Sequence, residues 1–130
     1  DAVARRLGSD APSRTAGLPL LGAASAAVLR SVSARPELVR RYGTLAPDVQ
    51  ALADLDPWLT EPVVPGRSTI AAELVYGVMA EGALTAEDLV ERRTRLTLVD
   101  ADRPVALAAA HRALDWAAST HLTPNNYWCG

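Results

Sequence analysis

At 130 residues and 49% hydrophobic composition, the chain is long enough for one domain that buries roughly two thirds of its unfolded surface, which excludes a disordered segment. A net charge of −2 excludes the broad basic stripe of a nucleic-acid binder. No run approaches the roughly 20 apolar residues that cross a bilayer, and no apolar leader core opens the chain.

The apolar residues are mostly Ala, Leu and Val, with no Phe, and small side chains suit closely packed helices better than a sheet sandwich. All thirteen basic residues are Arg, a bias expected of GC-rich coding rather than a binding signature. The single cysteine, Cys129, can form no internal disulfide and fits a reducing, cytoplasmic compartment.

Taken along the chain, residues 1–8 hold good helix formers with Val3 and Leu7 four apart, uncapped and with nothing to pack on. They read as the tail of a longer helix from a preceding domain. Residues 9–22 carry Pro12, Pro19, Gly17 and Gly22 and predict an extended linker strap. The helical domain proper is expected over 23–120, and 121–130 as a frayed tail. Within it, helix is predicted over 23–34, then over 36–42 with Pro36 in the first turn and Gly43 at the stop, then over 47–53. Pro57, Pro62 and Pro65 make 56–66 irregular and place it across the surface.

Ser68 or Thr69 is expected to cap a helix over 70–81, in which Ile70, Leu74 and Val78 form one apolar face. Thr85 caps a further helix to about Arg93, with Asp88 at the third position as a short substitute for the usual Glu of a capping box. Residues 96–99 are an apolar link. The last helix spans 102–120, with Pro104 near its start and a stripe of Leu107, Ala110, Leu114 and Ala117. The fold class is all-α, a compact orthogonal bundle of five to six helices.

No chemistry-bearing constellation emerges. No Gly-x-Gly-x-x-Gly follows a strand, and neither the histidines nor the cysteine has metal-ligand spacing, so no catalytic, cofactor-binding or metal residue is assigned. His111 and Asp115, four apart, read as a surface pair, since no nucleophile accompanies them. Arg112 and Trp116 have the spacing of a cation–π contact. Asp88 and Arg92 have that of a helix ion pair, which leaves Arg93 and Arg95 for solvent, a phosphate or a neighbouring domain. Arg40 and Arg41 are either solvated or a second contact patch. Tyr76, beside Glu73 and Glu81, needs a partner if buried, and Arg92 or Arg93 is placed to supply one.

Four motifs then fall in a particular order: Arg41-Tyr42-Gly43, Glu73-x-x-Tyr76, Glu81-x-Ala83-x-Thr85-x-x-Asp88 and Arg92-Arg93-Thr94-Arg95-Leu96. This series resembles the C-terminal domain of bacterial FAD-dependent glycerol-3-phosphate dehydrogenases and of the related alpha-glycerophosphate oxidases. Glu61-Pro62 and Val64-Pro65-Gly66 resemble a loop found there, and Ser13-Arg14-Thr15 with Leu18-Pro19-Leu20 resembles the strap that leaves the FAD domain. Ala80, where many relatives carry a polar residue, and the tail 121–130 depart from the pattern.

The resemblance implies an accessory domain that packs on a larger catalytic domain. That larger domain binds FAD and oxidises glycerol 3-phosphate to dihydroxyacetone phosphate, passing electrons to quinone, or to oxygen in the oxidases. It implies no cofactor in this chain and the FAD domain as its partner, and leaves open peripheral membrane attachment and homo-oligomerisation of the whole enzyme. Tyr42, Glu73, Tyr76, Glu81, Asp88, Arg92, Arg93, Thr94 and Arg95 become the candidates for structural or interdomain contact.

Two other readings compete. Residues 84–89 look like the start of a helix-turn-helix, yet no second recognition helix follows at the right distance. A free-standing helical interaction protein, related to the enzyme only by ancestry, is the other.

Overall fold

The computed structural model describes residues 2–8, 11–12 and 15–120. The expectations placed on Ser13, Arg14, Cys129 and the tail 121–130 lie outside the described residues.

The described chain is helical, with six α-helices, one π-helical segment and short 3-10 turns; among the described residues there is no strand, only an isolated bridge between Pro62 and Ile70. Helix α1 (Ala2–Arg6) buries nothing, and Val3 and Leu7 are exposed. The described part of 11–21 is exposed throughout. Helix α2 (Ala26–Ser31), capped by Ser25, is shorter than 23–34 predicts and also buries no residue. Without an apolar face to seat, only its capped central turns are held.

Helix α3 (Pro36–Tyr42) starts at its proline and stops at Gly43, as read from the sequence. Gly43 has φ 58° and ψ −125°, and a Cβ there would stand 1.8 Å from the carbonyl oxygen of Gly22. That carbonyl accepts the Thr44 N–H at 3.0 Å. Two glycines therefore let the end of the strap lie flat on the corner between α3 and α4 (Ala46–Ala53).

The proline-rich segment is irregular, but it does not stay on the surface. Val63 and Val64 are buried, drawn in because the Val63 N–H donates to Thr69 O (2.8 Å) and the Ala71 N–H to Glu61 O (3.0 Å). These bonds tuck the loop under α5 (Ala71–Met79). The cap of α5 differs from the expectation. Ser68 and Thr69 do not cap it; Ile70 is the N-cap residue, and the Glu73 carboxylate reaches back to accept its N–H at 2.9 Å. Nor does α5 have one apolar face, since every residue from 71 to 77 is buried. It is the central helix, enclosed by α4, α6 (Arg103–Ser119) and the π segment.

Helix α6 packs along α5 through Ala106, Ala110 and Ala113, all fully buried. Leu107 and Leu114, expected at the centre of its stripe, lie at the margin instead. Because the alanine side chain ends at its β-carbon, two helices meet more closely across alanines than across leucines.

The largest departure lies between Thr85 and Arg93. The capping box forms as read: Thr85 Oγ1 accepts the Asp88 N–H and Asp88 Oδ2 accepts the Thr85 N–H. The turn then widens into a π-helix over Asp88–Arg93. The Thr94 N–H donates five residues back to Leu89 O at 2.9 Å, and Thr94 Oγ1 donates to the same oxygen at 2.8 Å. The wider turn directs the consecutive residues Leu89 and Val90 both inward, each fully buried.

The strap contact makes a specific forecast. Gly43→Ala combines a positive φ with a clash against backbone, and is expected to destabilise the chain by about 2 kcal/mol. That lowers the unfolding midpoint by roughly 10 °C for a domain of this size. In a chain trimmed of residues 1–22 the same substitution should cost clearly less, because only the φ penalty remains; thermal unfolding of the four chains followed by circular dichroism decides it.

Candidate functional site

The ordered motifs converge on the C-terminal end of α3 and the loops bounding α5. Arg41, in the last turn of α3, spans from Ser68 to Glu73: Nη1 donates to Ser68 Oγ (3.0 Å), and Nη2 to Ser68 O (3.0 Å) and Glu73 Oε1 (2.7 Å). The Glu73 side chain is 1% exposed and Arg41 30%, so the pair is anchored in the core and opens to water only on the arginine side. The same Oε1 caps α5. Burial is the largest influence on Glu73 and raises its pKa, against the opposing pull of the Ile70 N–H and of Arg41.

Tyr42 directs its hydroxyl at the Glu73 carboxylate, and its pKa is driven far up, first by burial and then by the charges of Glu73 and Glu81. Its ring meets Tyr76 edge to face, centroids 5.4 Å apart at 78°. Tyr76 is pushed up to about 12 by burial, with Asp48 and Glu81 adding to it. Glu81 is raised by burial too, while Arg93 pulls it down.

These groups enclose a polar cavity of about 500 Å³. It is lined by Arg41, Tyr42, Thr69 and Glu73 from α3 and the start of α5, and by Glu81, Arg93, Thr94 and Arg95 from the segments after α5. Thr94 is bolted to Leu89 O by two hydrogen bonds, and Arg95 follows it in the left-handed region at φ 55°, the one non-glycine residue with positive φ among those described. Gly77 lets the π segment pack closely on α5, since a Cβ on it would come within 2.7 Å of Leu89 Cδ2.

The family model for the C-terminal domain of alpha-glycerophosphate oxidase matches residues 13–122, and all four motifs fall inside that span. The chain belongs to this family. It is 42% identical over 104 residues to Glycerol-3-phosphate dehydrogenase 1 of Mycobacterium tuberculosis, a match covering 78% of this chain and 20% of the relative. It is 39% identical over 88 residues to Glycerol-3-phosphate dehydrogenase 2 of the same organism (63% and 15%), and 44% over 66 residues to the probable mitochondrial glycerol-3-phosphate dehydrogenase of Dictyostelium discoideum (51% and 10%). The chain thus spans about a fifth of the length of the first of these, and most of each relative lies outside the match. No solved structure matches significantly.

Of the family-motif residues singled out from sequence, Tyr42, Glu73, Glu81, Arg93, Thr94 and Arg95 share the one cavity. Tyr76 stands behind it, against Tyr42. Asp88 and Arg92 do not reach it: they pair with each other, and Asp88 also caps Leu84 and Thr85, which lowers its pKa. Neither Arg92 nor Arg93 hydrogen-bonds Tyr76, whose neighbour is a second tyrosine instead.

Arg41 is the residue that sequence reasoning undervalued, leaving it solvated or in a contact patch. Its signal was its place directly before Tyr42 in the first motif. Arg112 stacks on Trp58, 4.2 Å from the ring centroid, rather than on Trp116. The side chains of His111 and Asp115 are exposed and, among the described residues, make no hydrogen bond or ion pair. Among the described residues, no cluster of His, Cys, Asp and Glu is arranged for a metal ion, and no helix is long and apolar enough to cross a membrane.

Of the three shifted carboxylates, Glu73 and Glu81 are raised and Asp88 is lowered, so Glu73 and Asp88 act on stability with opposite signs. A raised native pKa means that the contribution of Glu73 is complete below its ordinary value of 4.5 and is lost as pH rises through the native value. Asp88, whose pKa is lowered, contributes fully above 3.8 and loses that contribution as pH falls through its native value. Unfolding midpoints measured from acid to neutral pH should therefore show Glu73→Gln flattening the decline above pH 4.5. Asp88→Asn should reduce the loss on the acid side, and a Glu73→Gln profile parallel to that of the unsubstituted chain contradicts the assignment.

Proposed function

We propose that this chain is the C-terminal accessory domain of an FAD-dependent glycerol-3-phosphate dehydrogenase, that it braces the catalytic domain, and that it performs no chemistry by itself. The supporting observation is the N-terminal leg. Val3, Leu7, Leu18, Leu20 and Leu21 are between 64% and 92% exposed on α1 and the strap, with no internal core to enter. A run of large apolar side chains left in water marks a surface made for another protein unit. The relatives carry most of their length outside the matched segment, which supplies such a unit.

The flavin does not fit this chain. Among the described residues no strand feeds a glycine-rich turn, and the polar cavity, walled by five charged side chains, offers no cradle for a dinucleotide pyrophosphate. FAD, the oxidation of glycerol 3-phosphate to dihydroxyacetone phosphate and the passage of electrons to quinone belong in this reading to the remainder of the enzyme. The reading places that enzyme in the cytoplasm, and any membrane contact or homo-oligomer forms through the whole enzyme.

The chain alone should show no flavin absorbance and no glycerol-3-phosphate-dependent dye reduction. Mixed with the separately expressed catalytic portion of the Mycobacterium tuberculosis relative, at a concentration near 100 times the dissociation constant, it should stabilise that portion by about 2.7 kcal/mol. It should also raise the portion's activity. If the two parts do not associate, the bracing role is wrong, and a free-standing interaction protein of the same ancestry takes its place.

A further inference from the structure

The arginines of this domain divide into two groups. Arg41, Arg67, Arg92 and Arg103 each hold a carboxylate, and Arg112 lies on Trp58. Among the described residues the side chains of Arg5, Arg6, Arg30, Arg35, Arg40, Arg93 and Arg95 make neither an ion pair nor a hydrogen bond, and of these only Arg93 and Arg95 line the polar cavity, Arg93 within the field of Glu81.

The turn that carries them is not loose. Thr94, between them, is fixed by two bonds to one carbonyl, and Arg95 is held in a left-handed backbone conformation that an L side chain resists. Local strain retained at a rigid turn puts a long cationic side chain where no internal acceptor meets it.

The charges around the cavity are unbalanced. Arg41, Arg93 and Arg95 face Glu73 and Glu81, leaving one positive charge. Glu73 is already engaged by Arg41 and the Ile70 N–H, so it cannot also serve Arg93 or Arg95. A phosphate dianion entering here meets two carboxylates. A single carboxylate restores neutrality and matches the two-pronged donor geometry of a guanidinium. The strap arrives at the cavity edge as well: Gly22 lies against the backbone of Tyr42 and Gly43, and Tyr42 is a wall residue.

We infer that the cavity is a docking socket in which Arg93 and Arg95 receive an Asp or Glu side chain of the catalytic domain, locking the two units in register. This rests on the bracing reading above and names its polar anchor, separate from the apolar leg.

The experiment compares binding of the catalytic portion of the Mycobacterium tuberculosis relative to this chain and to three variants. Arg95→Gly removes the guanidinium and suits the left-handed turn, so the unfolding midpoint of the free variant should hold or rise while affinity falls by about tenfold or more. Arg93→Ala with Arg95→Gly should weaken binding further and make it less sensitive to salt. The chain contains no lysine, so Arg95→Lys introduces its one side-chain amine. Carbodiimide coupling should then join that amine to an Asp or Glu of the catalytic portion, identified by mass spectrometry.

If the unsubstituted chain does not bind, the bracing reading fails and the socket with it. If it binds, Leu20→Asp weakens binding and the arginine variants do not, the bracing reading stands and the socket is overturned. If acetate raises the midpoint of the free chain more than chloride at equal ionic strength, while the arginine variants bind undiminished, the cavity serves a free carboxylate, which also overturns the inference.

Discussion

The Glu73 carboxylate, almost completely withdrawn from water, holds two helices together through three contacts of one side chain. It accepts the N–H that opens α5, takes the guanidinium that ends α3 and faces the hydroxyl of Tyr42. An uncompensated charge at such a position costs several kcal/mol, so each partner is needed to keep the carboxylate folded inside. Arg41 in turn grips both the side chain and the backbone of Ser68, which ties the entry loop of α5 to α3. The central helix is positioned by this cluster before any apolar contact is considered.

Around that centre the domain is closed by small residues. Ala71, Ala72 and Gly77 on α5, and Ala106, Ala110 and Ala113 on α6, allow close approach of backbones in a chain that has no phenylalanine to fill wider gaps. The widened turn at Asp88–Arg93 belongs to the same economy of space. By turning Leu89 and Val90 inward together, it fills the volume beside Gly77 and leaves Arg93 and Arg95 around the polar opening.

In the bracing arrangement proposed above, the two faces offered to the rest of the enzyme differ in kind. The leg presents four leucines and Val3 and, in this proposal, supplies area. The cavity presents the guanidiniums of Arg93 and Arg95 on a fixed turn and, in this proposal, supplies register. A contact built from both has apolar area for affinity and charge complementarity for orientation. The glycine pair at 22 and 43 joins them, because it seats the end of the leg one residue from the cavity wall.

Much of the fold was legible along the chain. Pro36 and Gly43 mark the ends of α3, Thr85 and Asp88 cap each other, and the order of the four motifs names the family. These signals are local: a cap or a stop is decided by hydrogen bonds within one turn, and those the residue types dictate. What the sequence could not choose was the partner of a group when the candidates were many and distant. Arg41 finds Glu73 across 32 positions, Arg112 takes Trp58 rather than the tryptophan one turn away, and alanines rather than leucines form the α5–α6 seam. Those outcomes depend on which groups are denied water, and burial is a property of the assembled helices. The sequence by itself determined that the chain is helical, where most helices begin and to which family it belongs. Only the tertiary structure decided that Glu73 is the buried anchor, and that Arg93 and Arg95 line the same cavity.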